Sequence, residues 1–123
     1  MEIGIDIIEI ARIDRLLKKY PNFRHRIFTE QEIAYCEQKK YPAQHYAARF
    51  AAKESIMKAL GSGWTENIRW KDLEIIATSS GKPIVRLHGK PNLAGTEMGI
   101  KEIKVSLSHC KVYAVAVAQV VKA

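Results

Sequence analysis

Two carboxylates stand where carboxylates are disfavoured. Asp6 interrupts the β-branched run "EIGIDIIEI", and Glu54 lies in "RFAAKESIMKALGSG", a stretch otherwise rich in apolar residues and cations. An acid inside a strand of isoleucines opposes both strand propensity and the cost of desolvation. Taken alone, Asp6 is most economically a strand-end acid facing water or an arginine, and Glu54 a surface partner of Lys58 one helical turn later. Taken together, beside Arg49, Lys53 and Lys58, they have the composition of a site for a divalent metal and a diphosphate. Mg²⁺ takes only one or two protein carboxylates and fills its remaining positions with water and phosphate oxygens. The spacing from 6 to 54 is no motif by itself.

The cations raise a further question. At about 100° per residue, Arg49 and Lys53 share an arc of the helical wheel with Phe50, Ile56, Met57 and Leu60. Burying unpaired cations there costs roughly several kcal/mol, so an anion or a neighbouring subunit must answer them. Other residues give weaker signals. Gly61, Ser62 and Gly63 of "LGSG" would let backbone amides approach a ligand, although any tight turn needs such residues. Pro83, in "SGKP", sits in a second turn of the same kind. His109, in "SLSHCK", is by default a hairpin-corner residue. Nothing supplies the acid–base partner of a serine–histidine pair, which sets hydrolase chemistry aside.

The elements that must position these residues follow from the hydrophobic period. "EIGIDIIEI" alternates, placing Ile3, Ile5 and Ile7 on one face and Gly4, Asp6 and Ile8 on the other. "ARIDRLLKKYP" has apolar residues at 13, 16, 17 and 20, giving an amphipathic helix stopped by Pro21, with Arg12, Arg15, Lys18 and Lys19 on its exposed side. Thr29 and Glu32 form a capping box that opens a second helix. Pro42 suits the first turn of a long third helix running through Leu60 and closed by Gly61. Period-two segments then flank "SSGKP" and "HCK" as two hairpins, and "KPNLAGTEMG" between them reads as a brief helix. The expected architecture is α+β, one domain over residues 1–123, with an antiparallel sheet packed against the long helix.

Bulk properties exclude several classes. A chain of 123 residues, 47% hydrophobic, builds one core without disulfide or metal staples. Cys36 and Cys110 lack metal or disulfide-framework spacing and read as reduced thiols. The acidic N-terminus does not resemble a signal peptide, and no apolar run approaches a membrane span, so a cytoplasmic protein without membrane association is expected. The net charge of +7 favours anionic partners. Aromatic RNA-binding pairs, a GxxG between helices and zinc-finger spacing are all absent, so nucleic acid is not expected. The basic helix has two readings: a solvated face, or a landing surface for an acidic protein.

"GIDIIEIARI", "RFAAKESIMKALGSG", "SGKP" and "SLSHCK" resemble, in order and spacing, the short bacterial holo-acyl-carrier-protein synthases, which are phosphopantetheinyl transferases. The resemblance extends over essentially the whole chain. It implies Mg²⁺-dependent transfer of 4′-phosphopantetheine from coenzyme A to a serine of an acyl carrier protein, releasing adenosine 3′,5′-bisphosphate. By the same resemblance Asp6 and Glu54 are the metal ligands, and Glu54 and Lys58 the catalytic pair, with either Glu54 or a metal-bound water as base. Lys58 meets the diphosphate. Arg49, Lys53, Gly61, Ser62, Gly63, Pro83 and His109 help to hold the coenzyme, while Arg12 and Arg15 receive the carrier protein. The family's homotrimer, with sites at subunit boundaries, is implied as well. In the larger branch of the family a third acid stands two residues after the first aspartate; here that residue is Ile8. Two rival classes are a phosphate-ligand module without turnover and a basic RNA-binding domain.

Overall fold

The computed structural model describes residues 2–61, 68–89 and 99–122. A three-stranded antiparallel sheet is built from β1 (Glu2–Glu9), β4 (Ile100–His109) and β5 (Tyr113–Lys122), in the order β1-β5-β4. A separate antiparallel hairpin pairs β2 (Leu73–Ala77) with β3 (Pro83–Leu87). Between β1 and the hairpin run α1 (Ile10–Lys19), α2 (Phe23–Ile27), α3 (Glu30–Glu37) and α4 (Pro42–Leu60), followed by a 3₁₀ turn over Trp70–Asp72. The α+β expectation, an antiparallel sheet against a long helix, is what the chain adopts.

The position of α4 is set by small residues. In β1 the face carrying Gly4, Asp6 and Ile8 turns inward, while Ile3, Ile5 and Ile7 are each more than 60% exposed. Gly4, Asp6 and Ile8 pair in register with Ala118, Ala116 and Ala114 of β5, all three alanines buried. Against this floor α4 lays Ala48, Ala51, Ala52, Ser55 and Ala59. A Cβ at Gly4 would lie 1.9 Å from the Ser55 carbonyl oxygen and 2.8 Å from the Ala59 amide nitrogen. Glycine is thus required because the helix backbone itself occupies that space.

The capping box forms as expected: Thr29 Oγ1 accepts from the Glu32 amide, and Glu32 Oε1 accepts from the Thr29 amide. Pro42 occupies the first turn of α4, and Gly61, at φ +85°, ends it. The five-residue α2 was not foreseen, because it is too short to display a helical period. It is held by tertiary contacts, Phe23 against Phe28 and Phe50 and Arg24 against Tyr46 and Glu37. The brief helix expected around Pro91 lies outside the described residues, as do Ser62 and Gly63.

Candidate active site

The close approach at Gly4 brings the inward acid of β1 to α4. Two residues along the strand, Asp6 meets Lys58: Nζ donates to Asp6 Oδ1 at 3.0 Å and to the Ile5 carbonyl at 3.1 Å. On α4 the side chains of residues 50, 54 and 58 stack at successive turns. Phe50, Glu54 and Lys58 accordingly form one wall of a cleft of about 480 Å³, opposite Asp6, with Arg12 and Glu9 from the β1–α1 junction and Tyr113 from β5 completing it. Glu54 is half-buried. Burial, and then the negative charge of Asp6, push its carboxyl above the ordinary range, against the pull of Lys58 and Arg12.

Two carboxylates that feel each other's charge in one cleft suit a hard divalent cation, which relieves their repulsion and prefers oxygen ligands. Among the described residues no group of three or more His, Cys, Asp or Glu side chains is arranged around a common centre. Of the carboxylates that line the cleft, Asp6 is the one whose charge raises the pKa of Glu54.

The cations foreseen together are distributed over three places. Lys58 is in the cleft. Lys53 is fully buried elsewhere: its Nζ donates to Glu32 Oε1 at 2.9 Å, to the Trp70 carbonyl at 3.0 Å and to the Leu73 carbonyl at 2.7 Å. An ammonium has three donors, and all three are used. The expectation that Lys53 holds coenzyme is therefore corrected, for it ties α4 to α3 and to the start of β2. Burial pulls its pKa down, and Glu32 offsets part of that effect.

Arg49 is buried on a third side, its guanidinium carbon 4.0 Å from the centre of the Tyr35 ring. Its Nε is buried without a hydrogen-bond partner among the described residues. The His45 ring lies 5.9 Å from that of Tyr35 and 5.4 Å from that of His109. Burial, then the neighbouring charges of His109, Arg49 and Lys39, lower the pKa of His45. Arg49 and His109 thus belong to one cluster with Tyr35 and His45, which does not line the Asp6 cleft. Pro83 begins β3 and is likewise absent from the cleft wall. Arg15 is exposed on α1, whereas Arg12, one turn earlier, reaches the cleft.

Several participating residues were not singled out from the sequence: Phe50, Glu9 and Tyr113 around the cleft, and Tyr35 and His45 beside Arg49. Phe50 was recoverable, since it precedes Glu54 by one turn and so shares its face. Tyr113 and His45 come together with their partners only through strand pairing and helix packing, which no local spacing reveals.

The 4′-phosphopantetheinyl transferase superfamily model matches residues 2–118. The chain belongs to this superfamily. A holo-acyl-carrier-protein synthase of Moorella thermoacetica is 49% identical over 120 residues, covering 98% of this chain and 93% of that protein. The crystal structure of the holo-acyl-carrier-protein synthase from Neisseria meningitidis matches with a TM-score of 0.90 at 32% identity, covering 98% of each chain. That of the Helicobacter pylori holo-acyl-carrier-protein synthase in complex with coenzyme A gives 0.84 at 31% identity, over 97% of this chain and 99% of the other. These likenesses span the superfamily member end to end and include both the sheet that carries Asp6 and the helix that carries Glu54 and Lys58.

Proposed function

We propose that this chain transfers 4′-phosphopantetheine from coenzyme A to a serine hydroxyl of an apo acyl carrier protein, giving the holo carrier and adenosine 3′,5′-bisphosphate. The single observation that carries the reading is the cleft shared by Asp6, Glu54 and Lys58 in a member of this superfamily. The serine oxygen forms a bond to the β-phosphorus of the coenzyme. The bond from that phosphorus to the bridging oxygen breaks, and its electron pair leaves with adenosine 3′,5′-bisphosphate. The serine supplies the nucleophile from the partner, so no activated serine is needed in this chain.

Each residue then has a task. Lys58, half-exposed at the cleft wall, is the cation for the diphosphate. Glu54 or a water held in the cleft takes the serine proton. Asp6 and Glu54 would hold Mg²⁺, which supplies neutralisation of charge on the phosphate oxygens. Arg49, with its orphaned Nε, and His109 supply hydrogen-bonding contacts for coenzyme phosphate, and Gly61 ends α4 ahead of Ser62 and Gly63 in the sequence. The coenzyme complex of the Helicobacter pylori relative supports a coenzyme site on this fold.

Arg15 and Arg12, on the exposed side of α1, form the landing surface for an acidic carrier protein, where cations chiefly raise the rate of encounter. The outward stripe of Ile3, Ile5 and Ile7, flanked by Val117 and Tyr113, is a contiguous apolar surface of the kind that associates. It supports assembly into a homotrimer whose copies border the cleft. No helix among the described residues is long and apolar enough to cross a membrane, and the cytoplasm is the compartment that supplies both substrates.

The test is to incubate the chain with apo carrier protein, coenzyme A and Mg²⁺, and to follow the mass of the carrier. The expected gain is one phosphopantetheine group, lost on chelation and nearly abolished in Asp6→Ala and Glu54→Ala. A carrier whose mass never changes, while coenzyme binds, would leave only a phosphate-ligand module.

A further inference from the structure

The contact between Lys58 and Asp6 joins two groups to which the proposed reaction gives different partners. Asp6 is assigned to the divalent cation and Lys58 to the diphosphate, yet in this chain the two are bonded to each other, at 3.0 Å. The Ile5 carbonyl, 3.1 Å away, accepts a second bond from the same ammonium. Asp6 is largely buried, its side chain 15% exposed, while that of Lys58 is 54% exposed. The carboxylate is carried on the strand, and the lysine reaches it through a long, half-exposed side chain.

We infer that Lys58 and the divalent cation compete for Asp6, so that metal and coenzyme diphosphate load cooperatively. This inference rests on the reading of Asp6 and Glu54 as metal ligands. A divalent ion on Asp6 would sit about 2.1 Å from its oxygen. The bonded ammonium would then stand within a few ångströms of that ion, where repulsion between like charges exceeds what a half-exposed ion pair contributes. Lys58 must therefore leave Asp6 when metal arrives. With metal alone it moves into water and its ion pair is lost. With diphosphate present it passes to a phosphate oxygen, and the loss is offset. By linkage, coenzyme then tightens metal binding by the factor by which metal tightens coenzyme binding.

Attraction between metal and phosphate also couples the two ligands, so the test must separate that part. The charged groups that share the cleft with Lys58 are Asp6 and Glu9 from β1, Glu54 from its own helix and Arg12 from α1. Arg12 is the internal control, being a cation at the same cleft with no bond to Asp6 among the described residues. Mn²⁺ binding to the full chain is measured by the electron paramagnetic resonance of the free ion, with and without coenzyme A. The proteins compared are the wild type, Lys58→Met and Arg12→Met, each checked for a native melting transition.

In the coenzyme-free state Lys58→Met should bind Mn²⁺ about ten-fold more tightly than the wild type, and Arg12→Met clearly less so. Coenzyme A should tighten Mn²⁺ binding in the wild type, with the enhancement reduced in Lys58→Met. Equal gains in the two variants would overturn the competition in favour of a general field effect, and unchanged affinity in Lys58→Met would overturn it outright. Should Mn²⁺ bind none of the three proteins, with or without coenzyme, the two-carboxylate metal reading falls and takes this inference with it.

Discussion

Gly4→Ala is the substitution that most directly tests how the cleft is assembled. The added methyl carbon would lie 1.9 Å from the Ser55 carbonyl oxygen and 2.8 Å from the Ala59 amide nitrogen. Both are backbone atoms of α4, so no side-chain rotation can relieve them. Restoring an ordinary contact of about 3.5 Å requires the strand and helix to part by about 1.6 Å. Overpacking of this kind costs about 1–3 kcal/mol and more where backbone must move. For a domain of this size, a loss of about 3 kcal/mol lowers the melting temperature by about 10 °C.

The sign is informative, because Gly4 is not among the glycines with positive φ. At such a position, alanine would ordinarily stabilise by about 0.4–1 kcal/mol through the unfolded chain. Function should suffer beyond stability: Asp6 lies two residues away, and displacing a site by about 1 Å costs about 10²-fold in rate. The measurements are calorimetric melting and carrier-protein mass gain, the latter well below the variant's melting temperature. A variant that melts at or above the wild-type temperature and turns over normally would refute the claim that glycine brings α4 onto β1.

Arg49→Met and Lys53→Met, from one arc of the helix, should part in their effects: the lysine variant loses about 3–5 kcal/mol of stability by stranding Glu32 with coenzyme affinity kept, and the arginine variant loses coenzyme affinity with the fold kept. The opposite pattern in coenzyme titrations and urea unfolding would reverse their assignments. For Glu54, between the ordinary carboxylate value of 4.5 and its raised folded value, the native state keeps a proton that the unfolded chain has released. Metal-free stability should therefore fall as pH rises through that window. Urea unfolding of Glu54→Gln should lack this segment, and identical pH slopes in both proteins would count against the buried, acid-facing placement. Arg15→Glu should raise the KM for carrier protein about ten-fold and leave that for coenzyme A unchanged; equal rises in steady-state assays would remove Arg15 from the landing surface. Ile5→Glu should convert a trimer in sedimentation velocity to a monomer, and a monomeric wild type would end the proposal of assembly through that stripe.

Much of the fold was legible because its devices are local. The alternation in β1, the capping box at Thr29 and Glu32, Pro42 and Gly61 around α4, and both hairpins all follow from neighbouring residues. The antiparallel pairing of β1 with β5 joins the two ends of the chain, and no spacing specifies it. The face of β1 that is buried was equally hidden. Counting apolar residues favours the isoleucine face, yet the inward face is the one with Gly4 and Asp6, because only there can the helix come close.

The buried cations show where local reading stops. Glu32 was assigned from its spacing to the capping box, and it does cap α3, but its carboxylate also accepts from Lys53 and, through Oε2, from the Ile75 amide at 3.0 Å. The anion that answers Lys53 was thus already named for another task. A carboxylate has about four acceptor positions, so a single local role does not exhaust it. Arg49 shares the arc with Lys53 but finds an aromatic face in place of an acid, and its Nε is left without a partner among the described residues. Of the two buried cations of α4, Arg49 is the one with a nitrogen left unpartnered among the described residues, and under the proposed function a coenzyme phosphate would answer it. Residues 54 and 58, about 140° and 180° around the helix from Arg49, face β1 instead. One helix therefore sends Lys53, Arg49 and the Glu54–Lys58 pair in different directions, and their residue numbers alone, read at 100° per step, separate the last from the first two.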